Sequence, residues 1–129
     1  MRIVSWNVNG LRAVVSRGDL DWAFAGDVDV VCLQETKIQP DHVTEAMKHP
    51  PGFSRSFWSF HATKKGYSGT AIFVKDGLFA EPFTLKVGGD ERPEFDVEGR
   101  VVGVDLGAFV LFGVYFPNGG SSDERLAFK

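Results

Sequence analysis

Four places in this chain carry side chains with more chemistry than packing requires. Glu35 follows the unbroken apolar run Val30-Val31-Cys32-Leu33, with Gln34 and Lys37 beside it. Asn7 and Asn9 stand two residues apart after Ile3-Val4-Ser5-Trp6. Tyr67 and Ser68 sit between Gly66 and Gly69 in a polar stretch that also holds Lys64 and Lys65. Tyr115 and Asn118 close an apolar, aromatic segment. One carboxylate with amides is a set of hard oxygen donors. It suits Mg²⁺, which keeps several waters and often binds through one or two carboxylates. Arg12, Lys37, Lys65 and Arg100 are cations for a phosphodiester beside it, and Tyr115 can hydrogen-bond a phosphate or stabilise developing charge. The chemistry indicated is metal-assisted hydrolysis of a phosphate ester. A surface Glu in a strand-to-loop turn and an ordinary exposed Arg12 are the plain alternatives.

Other chemistries lack their residues. Hydrolysis needs a group to position and activate water, and His61 is the one histidine near the polar loop. His42 and His49 have no metal-ligand spacing with another His or Cys and read as surface residues. The chain has no Ser-His-Asp set, no Gly-x-Gly-x-x-Gly and no Walker loop, so acyl transfer, dinucleotide binding and P-loop hydrolysis are unsupported.

The elements that must hold these residues follow from pattern. A strand is expected over about residues 2–7, with Asn7 and Asn9 projecting to one side of its C-terminal end. Gly10 permits a turn and Leu11 begins a helix, where Arg12 opposes the macrodipole and points to a partner anion. A short helix is expected from Asp19 as N-cap to Gly26 as stop. The run Val30–Leu33 suits a strand buried on both faces and parallel to the first. Ligands of open α/β sheets gather outside such carboxyl ends, where Glu35 stands. A second helix is expected from Pro40 to Met47, capped by Asp41 and stopped by Pro50-Pro51-Gly52. Strands follow over Phe53–Phe60 and Thr70–Val74. A hairpin joins Arg100–Leu106 to Phe109–Phe116 through Gly107-Ala108. A turn is expected at Gly88–Arg92, and an amphipathic helix begins at Ser121.

Composition bounds the rest. The 129 residues make one domain with a real core, with 43% hydrophobic and 24% charged residues. The net charge of −3 argues weakly against a basic nucleic-acid surface. It does not exclude a nuclease, because an acidic metal site and a local basic rim coexist readily. The apolar run at Phe109–Val114 is too short to span a membrane. Met1 leads straight into a strand pattern, so no signal peptide is expected. The single cysteine, Cys32, excludes an intrachain disulfide and fits a reducing, cytoplasmic setting. Twelve Phe and three Trp imply an apolar surface that something must cover.

Five motifs occur in order: Ser5-Trp6-Asn7-Val8-Asn9-Gly10-Leu11-Arg12-Ala13, Leu33-Gln34-Glu35-Thr36-Lys37, Gly66-Tyr67-Ser68-Gly69-Thr70, Glu98-Gly99-Arg100 and Tyr115-Phe116-Pro117-Asn118. Together they resemble the exonuclease III / AP endonuclease family within the endonuclease–exonuclease–phosphatase superfamily. The resemblance runs the length of the chain, 1–129, and favours the DNA-repair branch over lipid or inositol phosphatases. It implies that Glu35 is the Mg²⁺ ligand (Mn²⁺ substituting), with Asn7 and Asn9 organising metal and phosphate. It implies that Arg12, Ala13, Tyr67 and Arg100 contact the DNA backbone, with Lys37 and Lys65 also facing it. Tyr115 and Asn118 are implied at the scissile phosphate. Some members carry Asp where this chain has Asn9. The implied substrate is double-stranded DNA, cut 5′ to abasic sites or digested from 3′ ends.

The resemblance also implies a fold: half of a four-layer, DNase I-like α/β sandwich, read here as one mixed sheet of about six strands with helices on its outer face. The family is longer, and this chain resembles its N-terminal half. Gly-Asp-x-Asn and Ser-Asp-His, which supply the water-activating groups in the family, do not occur; Ser122-Asp123 is followed by Glu124. The expectation is therefore that a C-terminal half or a second chain completes the site. A sheet face including Val30, Ile72, Val102 and Val114 is expected to lie uncovered and drive self-association. The alternative to a nuclease is a non-catalytic DNA-binding or assembly fragment; a small-molecule phosphatase is a third reading.

Overall fold

In the computed structural model, which describes residues 1–84 and 99–116, the chain forms seven strands in two sheets. Strands β1 (Ile3–Asn7), β2 (Val30–Gln34), β3 (Arg55–Ser59) and β4 (Thr70–Val74) make the first, in the order β1-β2-β4-β3. Strands β5 (Glu81–Phe83), β6 (Val101–Asp105) and β7 (Val110–Val114) make the second, in chain order. Only β1 and β2 pair in parallel, with helix α1 (Leu11–Arg17) in the connection between them. The parallel pair and the β6–β7 hairpin agree with the pattern-based expectation.

Strand alternation explains both cores. The central strands β2 and β4 are buried on both faces except at Gln34. Val31, Leu33, Ala71 and Phe73 point to one side, where Leu11 and Val14 of α1, Ala23 and Phe53 cover them. Phe73 meets the edges of Phe24 and Trp58 with ring centroids 5.0 and 5.5 Å away. Val30, Cys32, Ile72 and Val74 point to the other side, against Val102, Val104 and Leu106. The second sheet thus lies face to face on the first. Gly113 marks how closely they approach: a Cβ there would stand 3.2 Å from Val102 and 3.4 Å from Ile72.

Two expectations change here. The strands do not form one mixed sheet of six. A period of two records which face a residue takes, not which sheet its strand joins, so the hairpin reads the same in either place. Nor does the Val30–Ile72 face lie open. Val30 and Ile72 are 0% exposed and Val102 is 8% exposed, because the chain's own second sheet covers them. Val114 follows the inward Gly113 and turns to the opposite side. The exposed apolar residues instead include Phe79, Phe83, Phe109 and Val110, in and beside the second sheet.

The helical expectations shrink for local reasons. The 19–26 segment holds only a 3-10 turn at Asp21–Phe24, and Asp19 pairs with Arg17 at 2.7 Å rather than capping it. The 40–47 segment splits into a 3-10 turn at Pro40–His42 and a single helical turn, α2 (Glu45–Lys48). Val43 and Thr44 are extended between them, and the Thr44 hydroxyl, not Asp41, caps α2 by accepting from Met47 N at 3.2 Å. The expected turn at 88–92, Asn118 and the helix from Ser121 lie outside the described residues. Among the described residues, no helix is long and apolar enough to cross a membrane.

Cys32 is 4% exposed, and burial pushes its thiol up to about 11. Its expected behaviour is inertness. Iodoacetamide at pH 8 leaves the folded chain unlabelled by mass spectrometry and labels it fully in guanidinium; rapid native labelling would contradict this burial.

Candidate active site

The polar residues gather because the strand ends gather. Asn7 and Gln34 are partners at the carboxyl ends of the parallel pair, and Thr70 opens the antiparallel β4 beside Gln34. Beyond this rim the loops are stitched by backbone bonds. Gly10 N donates to Glu35 O at 2.9 Å and Leu11 N to Thr36 O at 2.8 Å. Thr36 N donates to Gly69 O at 3.0 Å and Lys37 N to Ser68 O at 2.8 Å. Gly69 N donates to Gly99 O at 3.0 Å, and Tyr115 N to Arg100 O at 2.8 Å. One chain of bonds therefore ties the four expected loops together.

The stitching holds strained backbone. Asn9, Glu35, Lys37 and Ser68 are the non-glycine residues with positive φ among those described, at 47°, 56°, 52° and 53°. Left-handed geometry costs a residue with a Cβ roughly 1–2 kcal/mol. All four fall in this cluster, as strain tends to do where a side chain must be aimed.

Glu35 is the hub. Tyr115 Oη donates to Glu35 Oε1 at 2.6 Å, and Lys37 Nζ lies 3.4 Å from Glu35 Oε2. Lys37 Nζ also donates to Asn9 Oδ1 at 2.8 Å, and Asn9 N donates to Asn7 Oδ1 at 3.0 Å. The Glu35 side chain is 16% exposed, so the carboxylate faces a shielded but open position. Arg100 is buried beneath, its guanidinium carbon 5.0 Å from the centre of the Tyr115 ring. Burial, then the hydrogen bond to Glu35 and its charge, raise the Tyr115 phenol above its usual range, against an opposing pull from Arg100. The phenol stays protonated at neutral pH and is a donor.

These donors fit Mg²⁺. Glu35, Asn7 and Asn9 bring hard oxygens with one carboxylate among them, and no cluster of three or more His, Cys, Asp or Glu occurs among the described residues. That excludes an all-protein zinc or calcium cage there and suits an ion that keeps much of its water.

The site residues expected from sequence divide into two sets. Asn7, Asn9, Glu35, Lys37, Arg100 and Tyr115 come together. Arg12 and Ala13 are exposed on the first turn of α1, and Lys65 and Tyr67 on the neighbouring loop, where they form a rim. The Lys64 ammonium stands 5.3 Å from the centre of the Tyr67 ring. His61 is used structurally: its Nδ1 accepts from Thr63 N and Lys64 N at 3.2 and 3.0 Å. Asn118 lies outside the described residues. Sequence reasoning passed over Thr36 and Ser68, both buried at the junction of the loops. Their only signal was position, next to Glu35 and Gly69.

Gly99 is a stricter requirement. Its φ is +67°, and a Cβ there would lie 2.6 Å from His61 N and overlap the Phe60 backbone. Gly99→Ala is expected to cost roughly 2–4 kcal/mol, by adding left-handed strain to overpacking against backbone that cannot yield. Urea unfolding reads this directly, and a variant within 0.5 kcal/mol of wild type would contradict the close approach.

The comparisons agree with this geometry. Residues 4–126 match the model of the Endonuclease/Exonuclease/phosphatase family. The chain is 41% identical over 130 residues to "Exodeoxyribonuclease" of Bacillus subtilis (strain 168), covering all of this chain and 48% of that protein. It is 38% identical over 129 residues to "DNA repair nuclease APEX1" of Danio rerio, covering all of this chain and 40% of that protein. The solved Xenopus laevis APE2 catalytic domain superposes with a TM-score of 0.75 at 30% identity, over 100% of this chain and 49% of that one. The chain thus spans less than half the length of these relatives. A whole-length match to the family model, with the strand ends converging on Glu35, settles its descent: the chain belongs to the endonuclease/exonuclease/phosphatase family.

Proposed function

We propose that this chain is the Glu35-bearing half of a Mg²⁺-dependent DNA-repair nuclease that hydrolyses the phosphodiester 5′ to an abasic site, with possible action at 3′ ends. The observation that carries the reading is the Tyr115–Glu35–Lys37–Asn9 network at the strand ends, joined by four strained residues. Its two sheets with helices on one outer face are then half of a DNase I-like four-layer sandwich.

In this reading Glu35 holds the ion, with Asn7 and Asn9 beside it. The ion supplies neutralising charge at the phosphate. Tyr115 presents a protonated phenol to a non-bridging phosphate oxygen and stabilises the charge that grows there. Arg100, stacked beneath the ring, keeps the phenol aimed at that place. Arg12 and Tyr67 on the rim meet the DNA backbone, which sets register rather than sequence preference. No group in the cluster is free to take a proton from water, since His61 Nδ1 is committed to backbone amides. The water-activating group comes from a further segment or chain.

The test uses a duplex with one tetrahydrofuran abasic analogue. The 129 residues alone are expected to bind it more tightly than intact duplex and to leave it uncut. Adding, in trans, a polypeptide corresponding to the remaining part of a matched relative is expected to give incision 5′ to the lesion, lost in EDTA. Equal binding to both duplexes, or incision that ignores EDTA, would sink the reading.

A further inference from the structure

We infer that Lys37 is a counter-ion that competes with the divalent cation for its ligands and passes to the phosphate when displaced. This deepens the metal-binding reading of Glu35 and rests on it. Lys37 Nζ bonds two different donors of the proposed site, Asn9 Oδ1 at 2.8 Å and Glu35 Oε2 at 3.4 Å. An ammonium and a divalent ion cannot both hold those oxygens, so the binding of one is the loss of the other.

The arrangement is built rather than incidental. Both Asn9 and Lys37 have left-handed backbone, at 47° and 52°. Lys37 N is pinned to Ser68 O and the neighbouring Gly10 N to Glu35 O, so the three side chains are aimed at a common point by the main chain. The Glu35 side chain is shielded at 16% exposure, whereas that of Lys37 is 43% exposed. The ammonium therefore has a route outward on its flexible stem while the carboxylate stays in place. Lys is suited to such an exchange because its charge is a compact point on rotatable bonds, unlike the planar Arg fork. Outside the carboxylate's reach, it faces the same rim as Arg12 and Tyr67, where a phosphodiester is expected.

The test is a titration of the DNA-free chain with Mn²⁺, read by the loss of the free-ion electron paramagnetic resonance signal. Removing the competing charge in Lys37→Met is expected to tighten Mn²⁺ binding about 10-fold, as loss of one nearby like charge implies. Lys37→Arg keeps the charge and is expected to bind less tightly than Lys37→Met. Glu35→Gln is expected to lose binding in either background. Unchanged or weaker binding in Lys37→Met, with Glu35→Gln inactive, would overturn the counter-ion inference alone. Wild-type affinity in Glu35→Gln would overturn the metal reading and this inference with it. A second measurement needs no variant: acetylation of Lys37 by a soluble acetyl ester, followed by mass spectrometry with Lys64 and Lys65 as references. Mg²⁺ is expected to speed Lys37 modification several-fold over EDTA, and an unchanged rate would overturn the inference.

Discussion

Glu35→Gln is expected to weaken divalent-cation binding at least about 100-fold while leaving the fold intact, because ligand charge dominates affinity at a site with one carboxylate. The substitution keeps shape and removes only charge. The amide oxygen still accepts from Tyr115 Oη, which now lies 2.6 Å from Glu35 Oε1, and the φ of +56° is as strained for Gln as for Glu. The ion pair with Lys37 is lost, but that lysine is 43% exposed and such pairs are worth about 0–1 kcal/mol. Melting is therefore expected to shift by no more than a few degrees. In the complemented incision assay the rate is expected to fall by about 10³ or more, since the ion neutralises charge where it develops. A Glu35→Gln protein that titrates Mn²⁺ like the wild type would place the cation elsewhere.

Phe73→Ala acts at the opposite end of the argument, on the fold alone. Phe73 is 1% exposed and wedged edge-on between Phe24 and Trp58. Phe-to-Ala changes in cores cost about 3–5 kcal/mol, the sum of lost transfer energy and the cavity left behind. Phe73 also lines an existing cavity of about 360 Å³ with Leu11, Leu20, Phe24 and Met47, so the hole made by truncation would merge with unfilled space. Collapse is then less effective, and the upper half of the range is expected. Against a typical total of 5–15 kcal/mol, much of the stability disappears. A fall of roughly 10–20 °C in the melting temperature follows for a domain of this size. Phe73→Leu, which keeps most of the volume, is expected to cost about 1–2 kcal/mol. A change under 1 kcal/mol in Phe73→Ala would mean that the aromatic cluster on this face is not the core it looks to be.

The two variants together separate site from scaffold. Glu35→Gln should lose the ion and keep the melt; Phe73→Ala should keep the loop residues and lose the melt. Their independence is expected because Phe73 lies near the far end of β4 from Thr70, where the strand meets the loops.

The sequence by itself determined the elements and the donors. Val30–Leu33 is apolar at every position, and a strand of that kind must be buried on both faces, as it is. Alternation then assigned Val31 and Leu33 to one core and Val30 and Cys32 to the other. Glu35, Asn7, Asn9 and Tyr115 were legible because a carboxylate, two amides and a phenol at strand ends have no packing reason to be there. Tertiary structure alone decided what those residues meet. The pairing of Tyr115 with Glu35 spans 80 positions, a separation no local pattern reports. The second sheet's place over the first was equally silent, because side-chain period encodes a face and not a partner. Lys37 and Arg100 make the same point: their charge marked them for phosphate, yet one ammonium lies between Glu35 and Asn9 and one guanidinium lies buried under an aromatic ring. Composition names the groups available; three-dimensional proximity sets which of them hold one another, since electrostatic and hydrogen-bond energies depend on distances that only the folded chain defines.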